Sequence, residues 1–148
     1  MTDDTTATPF RILGQDRPSR WLITCDHATN RVPDWVGGGT LGITPADMAR
    51  HIAYDVGAAG LASALARRLD APMVQSDFSR LVIDPNRGED DPTLLMRLYD
   101  GTVIPANRNA DAAERERRNA NMSRLTIGSP ARAAGAGLET GARGRSIR

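Results

Sequence analysis

Short apolar runs and one long amphipathic stretch alternate between residues 9 and 112. The run RWLITC, residues 20–25, is compact and apolar, reads as a buried strand, and ends at Asp26. The stretch TPADMARHIAYDVGAAGLASALARRLD, residues 44–70, has helical spacing and a helix start built into it. Thr44 is placed to cap, Pro45 takes the first helical position and Asp47 the third. Leu69 and Asp70 close the helix before Pro72. The runs PMVQS and RLVID then read as two further strands separated by the polar turn DFS. Strand, long helix, strand predicts a parallel crossover unit and an α/β fold, a layered sheet with flanking helices.

Composition narrows the setting. At 148 residues the chain is about one domain. Its single Cys excludes an internal disulfide, and no run approaches the roughly 20 apolar residues that a bilayer span needs. The N-terminus MTDDTTATPF is acidic and polar where a signal peptide is basic and then apolar, so the expected location is cytoplasmic, away from membranes. Every basic residue is Arg, a usage that fits GC-rich coding better than a physical demand. Residues 1–113 carry 11 Arg against 15 acidic residues, whereas residues 114–148 carry 8 Arg against 3. From Gly128 onward, 16 of 21 residues are Gly, Ala, Arg or Ser, too few large side chains to offset the entropy of ordering, so disorder is expected there. This divides the chain into a domain over residues 1–118 and a Gly/Ala/Arg-rich tail over 119–148. Such a tail can bind nucleic acid or another acidic partner, which gives a non-enzymatic alternative, but it lacks the repeats usual in such tails and nucleic acid is not the expected partner.

Three places carry candidate chemistry. CDHATN, residues 25–30, follows the first strand, where open α/β sheets line a ligand crevice. His27 there suits a metal ligand or base, or else sits in a surface loop whose Asp26 and Asn30 cap a turn. Cys25 reads as a small apolar packing residue rather than a nucleophile. The VGGGT segment is a flexible turn without the Lys of a phosphate loop. In the long helix, 100° per residue puts His51 and Asp55 on the face shared by Met48, Ile52, Ala62, Leu65 and Leu69. Polar groups there need partners: either each other, or a site at the carboxyl edge of the sheet where Asp55 ligates a metal or orients His27. The third place is SRLVIDPNRGED, residues 79–90. Arg80, Asn86 and Arg87 suit a carboxylate, and Asp84 can fix an Arg in pose; the alternative is an ordinary strand-end turn.

The segments CDHATNRVPD, HIAYDVGAAGLASALARRLDAP, SRLVIDPNR and DGTVIPANR, taken in order, resemble the N-terminal half of the N-formylglutamate amidohydrolase family over roughly residues 20–118. That family is similar to zinc carboxypeptidases and aspartoacylases, in which a His-x-x-Glu after a strand binds zinc and a later Asp-x-Asn-Arg recognises a carboxylate. The resemblance implies a zinc-carboxypeptidase-like fold. It also implies metal-dependent hydrolysis of a small N-formyl or N-acyl acidic amino acid, releasing formate and glutamate. It makes His27 a zinc ligand and, because Asn30 stands where those relatives have Glu, shifts the acidic ligand to Asp55. Arg80, Asp84, Asn86 and Arg87 become the substrate-binding group, and Asp26 and His51 the candidate catalytic residues. Relatives take a third zinc ligand and a general-base Glu from later positions, whereas no His follows His51 here. The expectation is a truncated enzyme, weakly active or inactive alone.

Overall fold

The structure, a computed structural model, describes residues 8–135, and side chains within them up to residue 123. A mixed α/β fold is built on a three-stranded sheet in the order β1-β3-β2. Strand β2 (Ile23–Cys25) runs parallel to β3 (Met73–Ser76), with Ile23 opposite Met73 and Cys25 opposite Gln75. Strand β1 (Phe10–Leu13), which the apolar pattern did not single out, pairs antiparallel on the other side of β3, Phe10 opposite Ser76. The crossover between β2 and β3 carries helix α1 (Pro45–Met48) and helix α2 (Ala58–Arg68).

The single helix expected over residues 44–70 is therefore two helices with a gap. Its start is as read: Thr44 Oγ1 accepts from the Asp47 amide at 3.1 Å, and Pro45 opens the first turn. Its interior is not. The Asp55 amide donates to the His27 carbonyl at 3.0 Å, and the Ala53 carbonyl accepts from the Arg80 amide at 3.1 Å and from Ser79 Oγ at 2.7 Å. Backbone groups that a continuous helix would pair four residues away are paired across the fold instead, a tertiary override of local propensity. Gly57 then turns the chain at φ 87° into α2, a left-handed conformation that costs other residues strain. With the register broken, Ile52 and Ala53 are fully buried while His51 points outward, its side chain 66% exposed rather than on an inward face.

RLVID is also not a strand. Leu81, Val82 and Ile83 are buried in succession without the alternation of a half-buried strand, in an irregular turn after β3. They form the main core with Val36, Leu41, Ile52, Ala53, Leu94 and Ile104, so much of this core is built by loops packed with Phe10 and Val74 of the sheet. A smaller cluster, Cys25, Ala62, Ala66 and Met73, seats α2 on β2 and β3, and Cys25 packs there as the apolar residue expected.

A hairpin of β4 (Leu98–Tyr99) and β5 (Thr102–Val103) turns through Asp100 and Gly101, both at positive φ, the Asp-Gly signal of a two-residue loop. Helix α3 (Pro105–Arg108) follows, then α4 (Ala112–Gly135), whose start is capped by Asp111 Oδ1 accepting from the Glu114 amide at 2.8 Å. Glu114 pairs with both Arg117 and Arg118 one turn on. The helix continues through the boundary expected at residue 118; residues 136–148 of the expected tail lie outside the described residues. No helix among the described residues is long and apolar enough to cross a membrane.

Candidate functional site

The carboxyl ends of the parallel pair β2 and β3 lie side by side, and the residues that follow each strand meet there. His27 comes two residues after β2, in a left-handed conformation at φ 53° that turns its side chain inward, where it is 4% exposed. Arg80 and Asp84 come from the turn after β3, and Asp55 from the gap between α1 and α2. Four side chains close into a ring. His27 Nε2 lies 2.8 Å from Asp84 Oδ1, and His27 Nδ1 lies 3.3 Å from Asp55 Oδ2. Arg80 bridges the two carboxylates, Nη2 donating to Asp84 Oδ2 at 2.8 Å and Nη1 to Asp55 Oδ1 at 3.2 Å. Its guanidinium also lies over the Tyr99 ring at 5.8 Å.

Asp84 is the hub. Fully buried, it also accepts the Asn86 amide at 2.9 Å, and Arg87 Nε approaches its other oxygen at 3.8 Å. Burial alone would raise its pKa. The hydrogen bond from His27, the Asn86 amide and the charges of His27 and Arg80 outweigh burial and bring it down to about 2. Burial likewise disfavours a charged His27, yet the hydrogen bond and charge of Asp84 override it. Arg80 pushes against this and Asp55 adds to it, leaving the imidazole pKa above its ordinary value. An ionised Asp84 only accepts hydrogen bonds, so Nε2 carries the proton and Nδ1 faces Asp55.

A pH dependence follows. The depressed pKa of Asp84 makes its stabilisation complete above the ordinary carboxylate value near 4 and lost as the pH falls through about 2, a loss on the order of 2–3 kcal/mol. His27, shifted upward, contributes fully below its ordinary value of about 6.5 and loses that contribution as the pH rises through its folded pKa. Urea midpoints of the metal-free protein between pH 2 and 5 should drop steeply for the wild type and much less for Asp84→Asn; parallel profiles would contradict the assignment.

The remaining predicted residues lie around this ring. Arg87 is about half-buried and reaches only loosely, Nη1 to Asp91 at 4.0 Å, so it is the guanidinium at the site with capacity to spare. The Nη atoms of Arg80 are both engaged with carboxylates, and its buried Nε has no partner among the described residues. Asn86 sits beside Asp84 through its amide. Asn30 donates to the Met48 carbonyl at 2.8 Å and ties the His27 loop to α1. Asp26 is exposed, and His51 stands outside the ring, 3.9 Å from Asp100 and beside Tyr99. The direct bond between His27 and Asp84 had no signal in the sequence, which placed Asp84 only as a partner for an Arg. A separation of 57 residues carries no local pattern.

Zinc fits one edge of this arrangement. Donors about 2.1 Å from a tetrahedral zinc stand roughly 3.3–3.5 Å apart, and the His27 Nδ1 to Asp55 Oδ2 separation of 3.3 Å, long for a hydrogen bond, has that value. The other ring nitrogen held by a buried carboxylate is the usual support of a metal-bound His. Among the described residues no group of three or more His, Cys, Asp or Glu converges to hold a metal, so the pair supplies two donors.

Comparison with known proteins relates the chain to one family and to a solved structure. The model of the N-formylglutamate amidohydrolase family matches residues 19–123. Among solved structures, gene product Atu2144 from Agrobacterium tumefaciens is similar, with 29% sequence identity and a TM-score of 0.73 over 88% of this chain and 50% of that one. The chain thus spans about half the length of that neighbour. No curated protein matches the sequence.

Proposed function

The chain belongs to the N-formylglutamate amidohydrolase family, and on that premise we propose that the ring of His27, Asp55, Arg80 and Asp84 is half of a metal centre for hydrolysing an N-formyl or N-acyl amide on an acidic amino acid. One observation carries the reading: His27 Nδ1 and Asp55 Oδ2 stand a ligand edge apart while Asp84 holds the opposite nitrogen. His27 and Asp55 would hold zinc, which when bound supplies an acidified water and polarises a carbonyl.

The chain's own residues do the rest. Asp84 fixes the imidazole tautomer. Arg80 sets the rotation of the half-exposed Asp55 carboxylate and balances the charge of Asp84, so that the buried carboxylate is not left unpaired. Arg87 and Asn86, beside the hub, orient the substrate carboxylate, for which a planar guanidinium is suited. Asp26 and His51, both exposed, are the proton-transfer groups of this proposal. With two protein donors where zinc sites use three or four, hydrolysis by this chain alone is expected to be low.

Ligand binding therefore tests the reading more cleanly than turnover. N-formylglutamate titrated into the zinc-supplemented chain should shift amide signals near Asp84 and Arg87, and N-formylleucine should not. Arg87→Ala should weaken the acidic ligand by about ten- to hundredfold, the range for a hydrogen bond to a charged group, and leave zinc binding unchanged. Equal binding of both ligands would defeat the substrate assignment.

A further inference from the structure

The turn that presents Arg80 and Asp84 has no sheet ladder to fix it, and its carbonyls are held by two side chains from far along the sequence. Asn107 Nδ2 donates to the Leu81 carbonyl at 2.8 Å and to the Met96 carbonyl at 2.7 Å. Arg118 Nη1 donates to the Val82 carbonyl at 3.0 Å and to Asn107 Oδ1 at 2.8 Å, and Arg118 Nε donates to Glu114 at 2.8 Å. Asn107 is fully buried and Arg118 is 1% exposed, the largest side chain so enclosed. A buried guanidinium directed at a peptide carbonyl and an amide is uncommon, because burying a charge is costly without such partners.

We propose that Asn107 and Arg118 are positioning residues for the His27–Asp55 pair, acting through the turn they clamp. Leu81 and Val82 lie between Arg80 and Asp84, so any rotation of those two peptides displaces both ends of the bridge on which His27 is held. An Asn is suited to the joint: its amide nitrogen has two protons for two carbonyls, and its oxygen receives the Arg. An Asp there would set a carboxylate against the carbonyls of Leu81 and Met96. A Leu would orphan three buried groups. Helices α3 and α4 thus reach the site although no residue of theirs is a candidate ligand. The significance for zinc rests on the function proposed above, whereas the effect on the ring does not.

Two readouts on the full chain separate these layers: the hydrogen-bonded His27 Nε2 proton in ¹H–¹⁵N spectra, and zinc affinity by calorimetry. Asn107→Leu and Arg118→Met should lose the His27 ring signal and at least tenfold of zinc affinity while their amide spectra remain dispersed. Arg118→Lys, which keeps the charge but not the fork, should recover part of both. Met73→Ala, a cavity in the separate α2 cluster at the start of β3, should be destabilised yet keep the signal. If the two disruptive variants do not fold, Arg118→Lys decides by itself, an intermediate loss supporting the clamp and wild-type values overturning it. The proposal is also overturned if a folded Asn107→Leu keeps both readouts, or if Met73→Ala loses them equally. Failure of the wild type to bind zinc, with the ring signal still lost in the variants, would remove the metal reading and keep the clamp.

Discussion

Asp84→Ala lowers the unfolding free energy by about 3–5 kcal/mol, the range for removing one partner of a buried ion pair. The carboxylate is fully buried and holds three groups, His27 Nε2, Arg80 Nη2 and the Asn86 amide, each left without its acceptor by the truncation. For a domain of this size that corresponds to a fall in melting temperature of roughly 10 °C or more. The penalty comes from stranded buried groups more than from lost attraction. His27→Phe added to Asp84→Ala should therefore recover part of it, because the double variant no longer buries an imidazole N–H without its acceptor. Denaturant midpoints of the two single variants and the double variant measure this coupling. A cost for Asp84→Ala below about 1 kcal/mol, the value of an exposed pair, would mean that the hub is not closed in solution.

The sequence showed the parts of this arrangement that local rules control. The Thr44-Pro45-Asp47 start was legible because a cap is defined within four residues, and the end of α2 before Pro72 for the same reason. The parallel crossover from β2 to β3 followed from strand, helix and strand in order. The break between α1 and α2 was not legible. The groups that interrupt the helix pair Asp55 with His27 and Ala53 with Ser79 and Arg80, more than 20 residues away, and periodicity says nothing about such partners. His51 was drawn inward by a wheel whose register no longer applied beyond Met48. The apolar run Leu81-Val82-Ile83 suggested a strand, since burial on all sides looks the same in a strand and in a buried turn. His27, Asp55, Asp84 and Arg87 were all singled out. Their common position follows from three chain segments that converge past the carboxyl ends of β2 and β3, where α/β folds gather functional groups.

Zinc binding is where the second large effect is expected. The metal-free chain should take up zinc weakly and in exchange, since two protein donors leave half of a tetrahedral shell to water. His27→Ala and Asp55→Ala each reduce the donors to one, and binding should fall beyond detection. Asp84→Asn keeps both donors but weakens the support of the ring nitrogen, so affinity should fall by about 10- to 100-fold, the usual cost of disturbing a carboxylate behind a metal-bound His. Arg87→Ala should leave affinity unchanged, because a guanidinium binds carboxylate and not zinc.

Calorimetric titration of zinc into the metal-free wild type and into His27→Ala, both verified as folded, is the most direct test of the central claim. Measurable weak binding at one site in the wild type and none in His27→Ala is the expected result. Equal affinity in the two proteins would contradict the metal centre at His27 and Asp55.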